Sequence, residues 1–295
     1  MYQYYIGKEE KTFEEIYKSI DNNNLIFSND SFEPQNANAT LNFNRCTFSM
    51  VSFHNIEFDI SNFSFCVFIG CYFKSSKFSR INFKNCTFID CGFYDTMFEN
   101  FEFFYSEWNN SYIKFENIKN SIPSEYNYRK KFCKTMAINC IKAGNMDEYK
   151  KYFFESMRAK ELNYKAIILR EEKYYKDNYS NFDSIRYSVK FMFSKISGLV
   201  WGYGERISNV IYSIIVVLLI YAGIYYCTND ITNVKNINLE SSIYLSIASF
   251  FNINIGYNFN SINLKVISIT EYVFGLVFIG MVVTYLFRYI DSREK

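Results

Sequence analysis

The sequence predicts a mixed fold: an N-terminal right-handed quadrilateral parallel β-helix, a helical linker hairpin, and a C-terminal module with two transmembrane helices. Three observations predict it. Phenylalanine recurs at every fifth residue, charged and apolar residues then alternate at helical spacing, and two apolar stretches follow. The expected domain bounds are 1–40 for an N-terminal cap, 41–122 for the β-helix, 123–200 for a cytoplasmic helical linker and 201–295 for the membrane module.

The five-residue period is the clearest pattern in the chain. Phenylalanine occupies thirteen consecutive positions of this period, namely Phe43, Phe48, Phe53, Phe58, Phe63, Phe68, Phe73, Phe78, Phe83, Phe88, Phe93, Phe98 and Phe103. Neither a helix nor a single strand keeps every fifth residue on one face. A coil that turns a corner every five residues does so, because inward side chains then line successive sides of a square. Coils stacked at about 4.8 Å would place the rings in ladders.

The position two residues before each phenylalanine holds a mostly small side chain. Cys46, Cys66 and Cys86 recur there at twenty-residue intervals, as do Cys71 and Cys91, so we expect two columns. A metal or redox column is one interpretation and core packing the other. Small polarizable side chains favour packing, so we predict neither metal nor cofactor. Cysteines at packing positions also indicate a reducing, cytoplasmic setting for the β-helix.

This pattern resembles the pentapeptide-repeat family, whose consensus is a small residue, Asn or Asp, Leu or Phe, and two free positions. The resemblance covers about residues 41–120. Some soluble members mimic DNA through an acidic surface, but residues 41–120 carry eight acidic and seven basic side chains. Such a balance lacks a DNA-like field, so no nucleic-acid partner is predicted. Phe27 and Phe32 are out of phase with the repeat, and residues 20–40 are therefore expected to form an irregular cap.

Two stretches are long and apolar enough to cross a bilayer, which takes about 20 residues. Residues 207–227 carry no charge, and residues 266–288 carry a single acid, Glu271. Residues 124–195 hold sixteen basic and nine acidic side chains, whereas residues 228–265 hold two lysines. Because basic residues concentrate on the cytoplasmic side, we predict a multi-pass protein of the inner (plasma) membrane. Both termini are expected in the cytoplasm, with membrane lipid as a partner.

The segment between the spans, about 239–260, is too short and polar to cross a bilayer, which suits a re-entrant helix followed by non-helical backbone. This layout resembles the two-transmembrane potassium-channel pore module, in which Thr-Val-Gly-Tyr-Gly supplies a ring of carbonyls. The matching residues here are Asn254, Ile255, Gly256, Tyr257 and Asn258. Because two asparagines replace the threonine and the second glycine, the resemblance implies a permeant cation that is either K⁺ or unselected.

The positions of other residues in the membrane module indicate possible roles for them. Glu271 is a candidate for bracing the pore helix or for attracting cations, since acids within membrane spans are functional candidates. Gly275 and Gly280 permit a bend or close packing of the second span. The tripeptide Gly202-Tyr203-Gly204 precedes the first span and predicts a juxtamembrane turn instead of a filter.

Residues 124–195 alternate charged and apolar positions at helical spacing, and the hairpin they predict extends to about residue 175. Gly144 and Asn145 interrupt them, which predicts a helix end and a turn. The result is a helical hairpin resembling a tetratricopeptide unit. Its positive charge suits a place beneath an anionic leaflet, and a solvated spacer is the alternative.

No catalytic constellation accompanies these elements, because the chain has one histidine, no phosphate-binding glycine loop and no paired metal ligands. We therefore predict that the protein is not an enzyme. The leading hypothesis is a tetrameric cation channel, since a two-span subunit supplies one quarter of such a pore, with the β-helix as its sensing or assembly domain. One alternative is a membrane-tethered scaffold whose β-helix binds a protein partner. Another is a membrane-permeabilising effector of a defence or toxin system.

Overall fold

The structure, a computed structural model, describes most of the chain. The described residues are 4–12, 21–31, 41–59, 61–99, 102–228, 231–232, 238–254, 258–259 and 261–291. Packing divides the chain into two compact units, Met1–Asn178 and Tyr179–Lys295. The predicted linker, 123–200, is therefore split, and its last helix belongs to the second unit.

The first unit contains a parallel β-solenoid of about four turns. Its strands are short, because the chain turns a corner after every few residues. They are β1 (Glu9–Glu10), β2 (Asp21–Asn23), β3 (Leu25–Ser28), β4 (Asn42–Asn44), β5 (Thr47–Ser49), β6 (Ser52–His54), β7 (Glu57–Asp59), β8 (Asn62–Ser64), β9 (Val67–Ile69), β10 (Tyr72–Lys74), β11 (Lys77–Ser79), β12 (Asn82–Lys84), β13 (Thr87–Ile89), β14 (Gly92–Tyr94), β15 (Met97–Glu99), β16 (Glu102–Phe104) and β17 (Glu107–Asn109). From β4 onwards, strands four apart in the chain pair in parallel, which produces four faces. The predicted parallel β-helix is confirmed.

The core of the solenoid is a set of stacked phenylalanine ladders. Phe73 lies between Phe53 and Phe93, with ring centroids 4.7 Å and 4.6 Å away and nearly parallel planes. Their strands pair in register, so each ring is held directly above its counterpart one coil earlier. A five-residue spacing thus becomes a contact between residues twenty apart. Stacked aromatic pairs add to the stabilisation from burial alone.

The small position before each phenylalanine forms hydrogen bonds as well as packing contacts. Cys66 Sγ donates to Phe43 O at 3.4 Å, and Ser76 Oγ donates to Phe53 O at 2.8 Å. Each acceptor is the carbonyl of a phenylalanine in the preceding coil. Burial raises the pKa of the Cys66 and Cys71 thiols, so both are protonated at neutral pH. Since metal binding and redox chemistry need the thiolate, these contacts favour the packing interpretation of the cysteine columns.

The solenoid begins earlier than the period predicts. Residues 20–40 were expected to form an irregular cap, yet β2 and β3 pair with β4 and β5 on the same faces. The Phe27 ring stacks on Phe48 with centroids 5.2 Å apart. These two residues are twenty-one positions apart, one more than a regular coil, which explains why Phe27 is out of phase. The position of Phe32 lies outside the described residues.

Eight α-helices follow in the part of the chain that the structure describes. They are α1 (Phe115–Ile118), α2 (Tyr126–Lys142), α3 (Met146–Leu169), α4 (Lys173–Asn178), α5 (Asn181–Trp201), α6 (Ile207–Tyr226), α7 (Leu239–Phe250) and α8 (Ile262–Asp291). Helices α2 and α3 correspond to the predicted hairpin. Gly144, with φ of +71°, lies in the turn between them, and the Asn145 side chain accepts from Glu148 N to begin α3.

The hairpin covers the last coil of the solenoid. Asn139 Nδ2 on α2 donates to Trp108 O and Ser111 O at 3.1 Å and 2.9 Å. The Tyr152 hydroxyl on α3 donates to Ile113 O at 2.7 Å. Side chains of the hairpin therefore satisfy backbone carbonyls at the end of the solenoid, where no further strand follows. They also cover the exposed edge of the last coil, which could otherwise pair with another chain and aggregate.

Trp108 takes the inward position of the last full repeat, and its indole N–H has no hydrogen-bond partner among the described residues. Leaving such a donor buried costs about 1–3 kcal/mol. We expect Trp108→Phe to keep the stack on Phe88, whose ring centroid is 4.2 Å away, and to remove the unsatisfied donor. The free energy of unfolding, measured by urea denaturation, should stay unchanged or rise by about 1 kcal/mol. Trp108→Ala, which removes the ring, is the control, and equal losses in both variants would contradict the expectation.

Candidate functional site

Helices α6 and α8 are the two candidate membrane spans, Ile207–Tyr226 and Ile262–Ile290. Both are long and apolar enough to cross a bilayer, and only 11% and 17% of the 18-residue apolar stretch within each is buried by the chain. The core helix of a soluble protein is mostly buried, so the low burial argues against that interpretation. The second helix is longer than the predicted span of 266–288, because helical backbone continues through polar residues at both ends.

Helix α7 lies between the two candidate spans. Its twelve residues give a length of about 18 Å, too short to cross a bilayer. Asn238 begins the helix, because its side-chain oxygen accepts from Ser241 N at 2.8 Å. At the other end Phe250 packs with Val210 of α6 and Phe278 of α8. The short helix predicted between the spans is present, and it packs against both of them.

The chain on either side of α7 meets at one end of the helix pair. Strand β18 (Ile231–Thr232) follows α6, strand β19 (Asn258–Phe259) precedes α8, and the two pair antiparallel. The carbonyl of Phe250, by contrast, lies against Gly275. Gly275 is about 20 Å along α8 from its first residue at 1.5 Å per residue. The end of α7 therefore lies about 20 Å along α8, whereas strand β19 immediately precedes that helix.

Glu271 joins the three helices through hydrogen bonds. Its side chain is fully buried in α8. The Tyr225 hydroxyl of α6 donates to Oε2 at 2.8 Å, and the Ser246 hydroxyl of α7 lies 2.5 Å from Oε1. The same hydroxyl is 3.0 Å from Leu218 O of α6. Each carboxylate oxygen is thus engaged by a different helix, so a change at this residue alters both contacts.

Tyr225 extends this contact to Phe259, the residue that follows the filter-like positions 254–258. Its ring stacks on that of Phe259, with centroids 5.6 Å apart. Around it, Ser268 Oγ of α8 donates to Ser249 Oγ of α7 at 3.3 Å. The second half of α7, strand β19 and both candidate spans therefore converge on one group of polar side chains. We call Glu271, Tyr225 and Ser246 the carboxyl cluster.

The two glycines of the second span have different surroundings. A Cβ on Gly275 would lie 2.1 Å from Phe250 O, whereas a Cβ on Gly280 would meet no atom within 4 Å. Gly275 therefore permits the close approach of α8 to the end of α7. Helix α8 is continuous through both positions. Of the two predicted roles, close packing describes Gly275, and no contact with another described residue requires glycine at position 280.

We expect Gly275→Ala to displace the end of α7, because a backbone oxygen occupies the space that the methyl group needs. Overpacking of this kind costs about 1–3 kcal/mol. The melting temperature of the purified chain in detergent should fall, and protease cleavage near Asn252 should accelerate. Gly280→Ala is the matched control and should leave both unchanged. Equal behaviour of the two variants would contradict the role of Gly275.

The predicted pore-loop residues are described only in part. Asn254 is exposed, four residues beyond the end of α7. Ile255, Gly256 and Tyr257 lie outside the described residues. Asn258 belongs to the two-residue strand β19 and is opposite Thr232. Left-handed backbone occurs after α7 at Asn252, with φ of +54°, whereas Asn258 lies in an extended strand.

The juxtamembrane tripeptide forms the predicted turn. Gly202, Tyr203 and Gly204 have φ of +58°, +55° and +88°, so three consecutive residues adopt left-handed backbone between α5 and α6. Arg288 near the end of α8 donates to Gly204 O at 3.2 Å and pairs with Glu205 at 3.3 Å. The turn is thereby fastened to the second candidate span.

Sequence reasoning missed Tyr225 and Ser246. One signal was available, since a tyrosine or serine buried in an apolar helix needs a hydrogen-bond partner. Their partner is Glu271, which lies 46 residues from Tyr225 and 25 from Ser246. No local spacing links such distant positions, so only the packed helices reveal the cluster.

These features define a class of protein: a parallel β-solenoid followed by helices, two of which are long and apolar enough to cross a membrane. The solenoid is built from pentapeptide repeats, since residues 66–103 match the family model of pentapeptide repeats in eight copies. The in-register pairing of Phe43 with Phe63 continues the same stacking towards the N-terminus. No curated protein matches the sequence.

Proposed function

We propose that this chain is one subunit of a tetrameric cation channel, with residues 239–260 as a re-entrant pore loop. The observation that carries the proposal is the path of α7, which descends between two apolar helices before the chain returns to β19 beside β18. Non-helical backbone at such depth is stable only where protein or a water-filled path surrounds it. A ring of four subunits provides such a path.

The carboxyl cluster supports this role because a pore loop must be held in place. Glu271 is fully buried and both of its oxygens are engaged by neighbouring helices. A group in this position is shielded from a passing cation. The contacts therefore favour bracing of the pore helix over cation attraction as the role of Glu271.

The remaining parts of the proposal concern location and partners. The distribution of lysine and arginine supports a multi-pass topology in an inner (plasma) membrane with both termini in the cytoplasm. The solenoid is then a cytoplasmic sensing or assembly domain. The partners are membrane lipid, three further copies of the chain and a permeant cation, which is K⁺ or unselected. The proposal involves no catalysis and no nucleic acid.

Ion flux through the reconstituted full chain tests the proposal. We expect cation currents in planar bilayers, with a reversal potential that shifts towards that of K⁺ when Asn258→Gly restores the second glycine of the resembled filter. Asn110→Gly, at a left-handed corner of the solenoid, is the matched control and should leave the reversal potential unchanged. A protein that never conducts under any voltage, or that stays monomeric in detergent, would overturn the proposal.

A membrane-tethered scaffold is the second candidate. Tyr72 and Tyr94 are both exposed on one face of the solenoid, with ring centroids 5.5 Å apart. Exposed aromatic side chains are enriched at protein interfaces. A scaffold predicts no response to Asn258→Gly, and weaker partner binding in Tyr94→Ser. A toxicity assay on expression separates both candidates from a membrane-permeabilising effector.

A further inference from the structure

Helix α5, immediately before the first candidate span, exposes an apolar face. Its large apolar side chains recur three and four residues apart and are exposed to solvent; they are Phe182, Ile185, Val189, Met192, Phe193, Ile196 and Leu199. At 3.6 residues per turn these seven fall within an arc of about 120°. Leu199 is 77% exposed and Phe182 75%, so no part of the chain that the structure describes covers these side chains.

Basic residues lie along both edges of the arc. Arg186 and Lys190 follow one edge and Lys195 the other, at helical spacing. The one acid of the helix, Asp183, accepts from Ser180 N at 2.9 Å in the capping box at its start. The surface around the arc is therefore positively charged.

The C-terminal end of α5 is fastened to the candidate span α6. Asn209 Nδ2 donates to the carbonyls of Gly198 and Leu199 at 3.2 Å and 3.1 Å, and Ser213 Oγ donates to Val200 O at 3.2 Å. The left-handed turn at residues 202–204 separates the two helix axes. The uncovered arc is thus continuous with a helix that is itself apolar enough to enter a bilayer.

We propose that α5 lies in the interface of an anionic bilayer, with its apolar arc inserted among the acyl chains and its lysines and arginine at the phosphates. This inference rests on the membrane placement within the proposed function, though not on conduction. A helix with a wide apolar arc and basic flanks binds such interfaces in this way. Long basic side chains can then bury their stems and keep their charges in the headgroup region.

A second copy of the chain is the competing occupant, because spacings of three and four residues also suit a coiled coil. Two features favour lipid. Phe193 widens the arc beyond the narrow seam that a coiled coil uses. Arg186 and Lys195 fall at the flanking positions, where a parallel pair of helices offers neither of them an acidic partner.

Spin labels in the full-length protein test the inference. Cys227 is exposed and the other cysteines are buried, so a Cys227→Ser background allows selective labelling. Met192→Cys reports the arc, Lys190→Cys reports the basic residues beyond the edge of the arc, and Leu219→Cys reports the exposed surface of α6. The protein is reconstituted in an equal mixture of phosphatidylcholine and phosphatidylglycerol. Each label is then exposed to oxygen, which enters lipid, and to a water-soluble nickel chelate.

We expect the labels at positions 192 and 219 to favour oxygen several-fold over nickel, and the label at position 190 to favour nickel. If the label at position 192 is in water while the label at position 219 is in lipid, the inference about α5 is overturned, and the assignment of α6 as a membrane span stands. Both labels in water would mean that membrane placement itself fails. Strong dipolar broadening at 192 that vanishes on dilution with unlabelled protein would show a second copy on the arc and also overturn it. If the label at position 192 lies equally deep in bilayers of phosphatidylcholine alone, the claim that α5 requires an anionic bilayer would be overturned.

Discussion

Glu271→Ala is expected to loosen the packing of α6, α7 and α8, whereas Glu271→Gln is expected to preserve it. Alanine removes the acceptor of the Tyr225 hydroxyl, and a buried donor left unsatisfied costs about 1–3 kcal/mol. It also removes the contact between Ser246 and Glu271, although the Ser246 hydroxyl still has Leu218 O as an acceptor. The amide of glutamine can accept from Tyr225 and donate to Ser246, whose own proton then reaches Leu218 O. The measurement is thermal unfolding of the full chain in detergent, followed by ion flux.

This pair of variants also separates the two roles predicted for Glu271. Glutamine removes the charge and keeps the hydrogen bonds, so a bracing residue tolerates it and a cation-attracting residue does not. Glu240→Gln, at an exposed acid in the first turn of α7, is the matched control for loss of charge. If Glu271→Gln abolishes flux at unchanged thermal stability, the bracing role is wrong.

Phe73→Ala is expected to destabilise the solenoid by about 3–5 kcal/mol, the usual cost of removing a buried aromatic ring. Phe73 is 1% exposed and stacks on a ring above and a ring below. The narrow shaft cannot collapse around the gap, because its backbone is held by ladder hydrogen bonds in the neighbouring coils. Chemical denaturation followed by far-ultraviolet circular dichroism measures the loss.

Two further variants make this prediction specific. Phe73→Leu should cost about 1 kcal/mol, because leucine fills most of the volume, and leucine is also common at this position in the family consensus. Lys74→Ala, at the exposed neighbouring residue of the same strand, should stay within about 0.5 kcal/mol of the natural chain. A loss in Phe73→Ala no larger than that in Lys74→Ala would show that the ladder does not stabilise the solenoid.

Prediction from sequence succeeded where the pattern is local and repeated. The thirteen phenylalanines predicted the ladder because each coil repeats the spacing of the one before it. The five-residue period did not predict the place of Phe27, because one additional residue in that coil shifts it out of phase. Its ring nevertheless stacks on Phe48, as the rings of the other coils stack on one another. A sequence period identifies only regularly spaced residues, whereas ring stacking depends on the positions of the rings in the folded chain.

The sequence by itself determined the solenoid and the two apolar helices, because backbone period and bilayer-spanning length are properties of contiguous residues. Only the tertiary structure decided that the hairpin covers the solenoid through Asn139 and Tyr152, and that α5 packs with α6 in the second unit. It also decided the partners of Glu271. These contacts join residues far apart in the chain, and their energy comes from satisfying buried polar groups. Such groups are paired only when the helices pack together, so the spacing of residues along the chain does not reveal which groups will form hydrogen bonds.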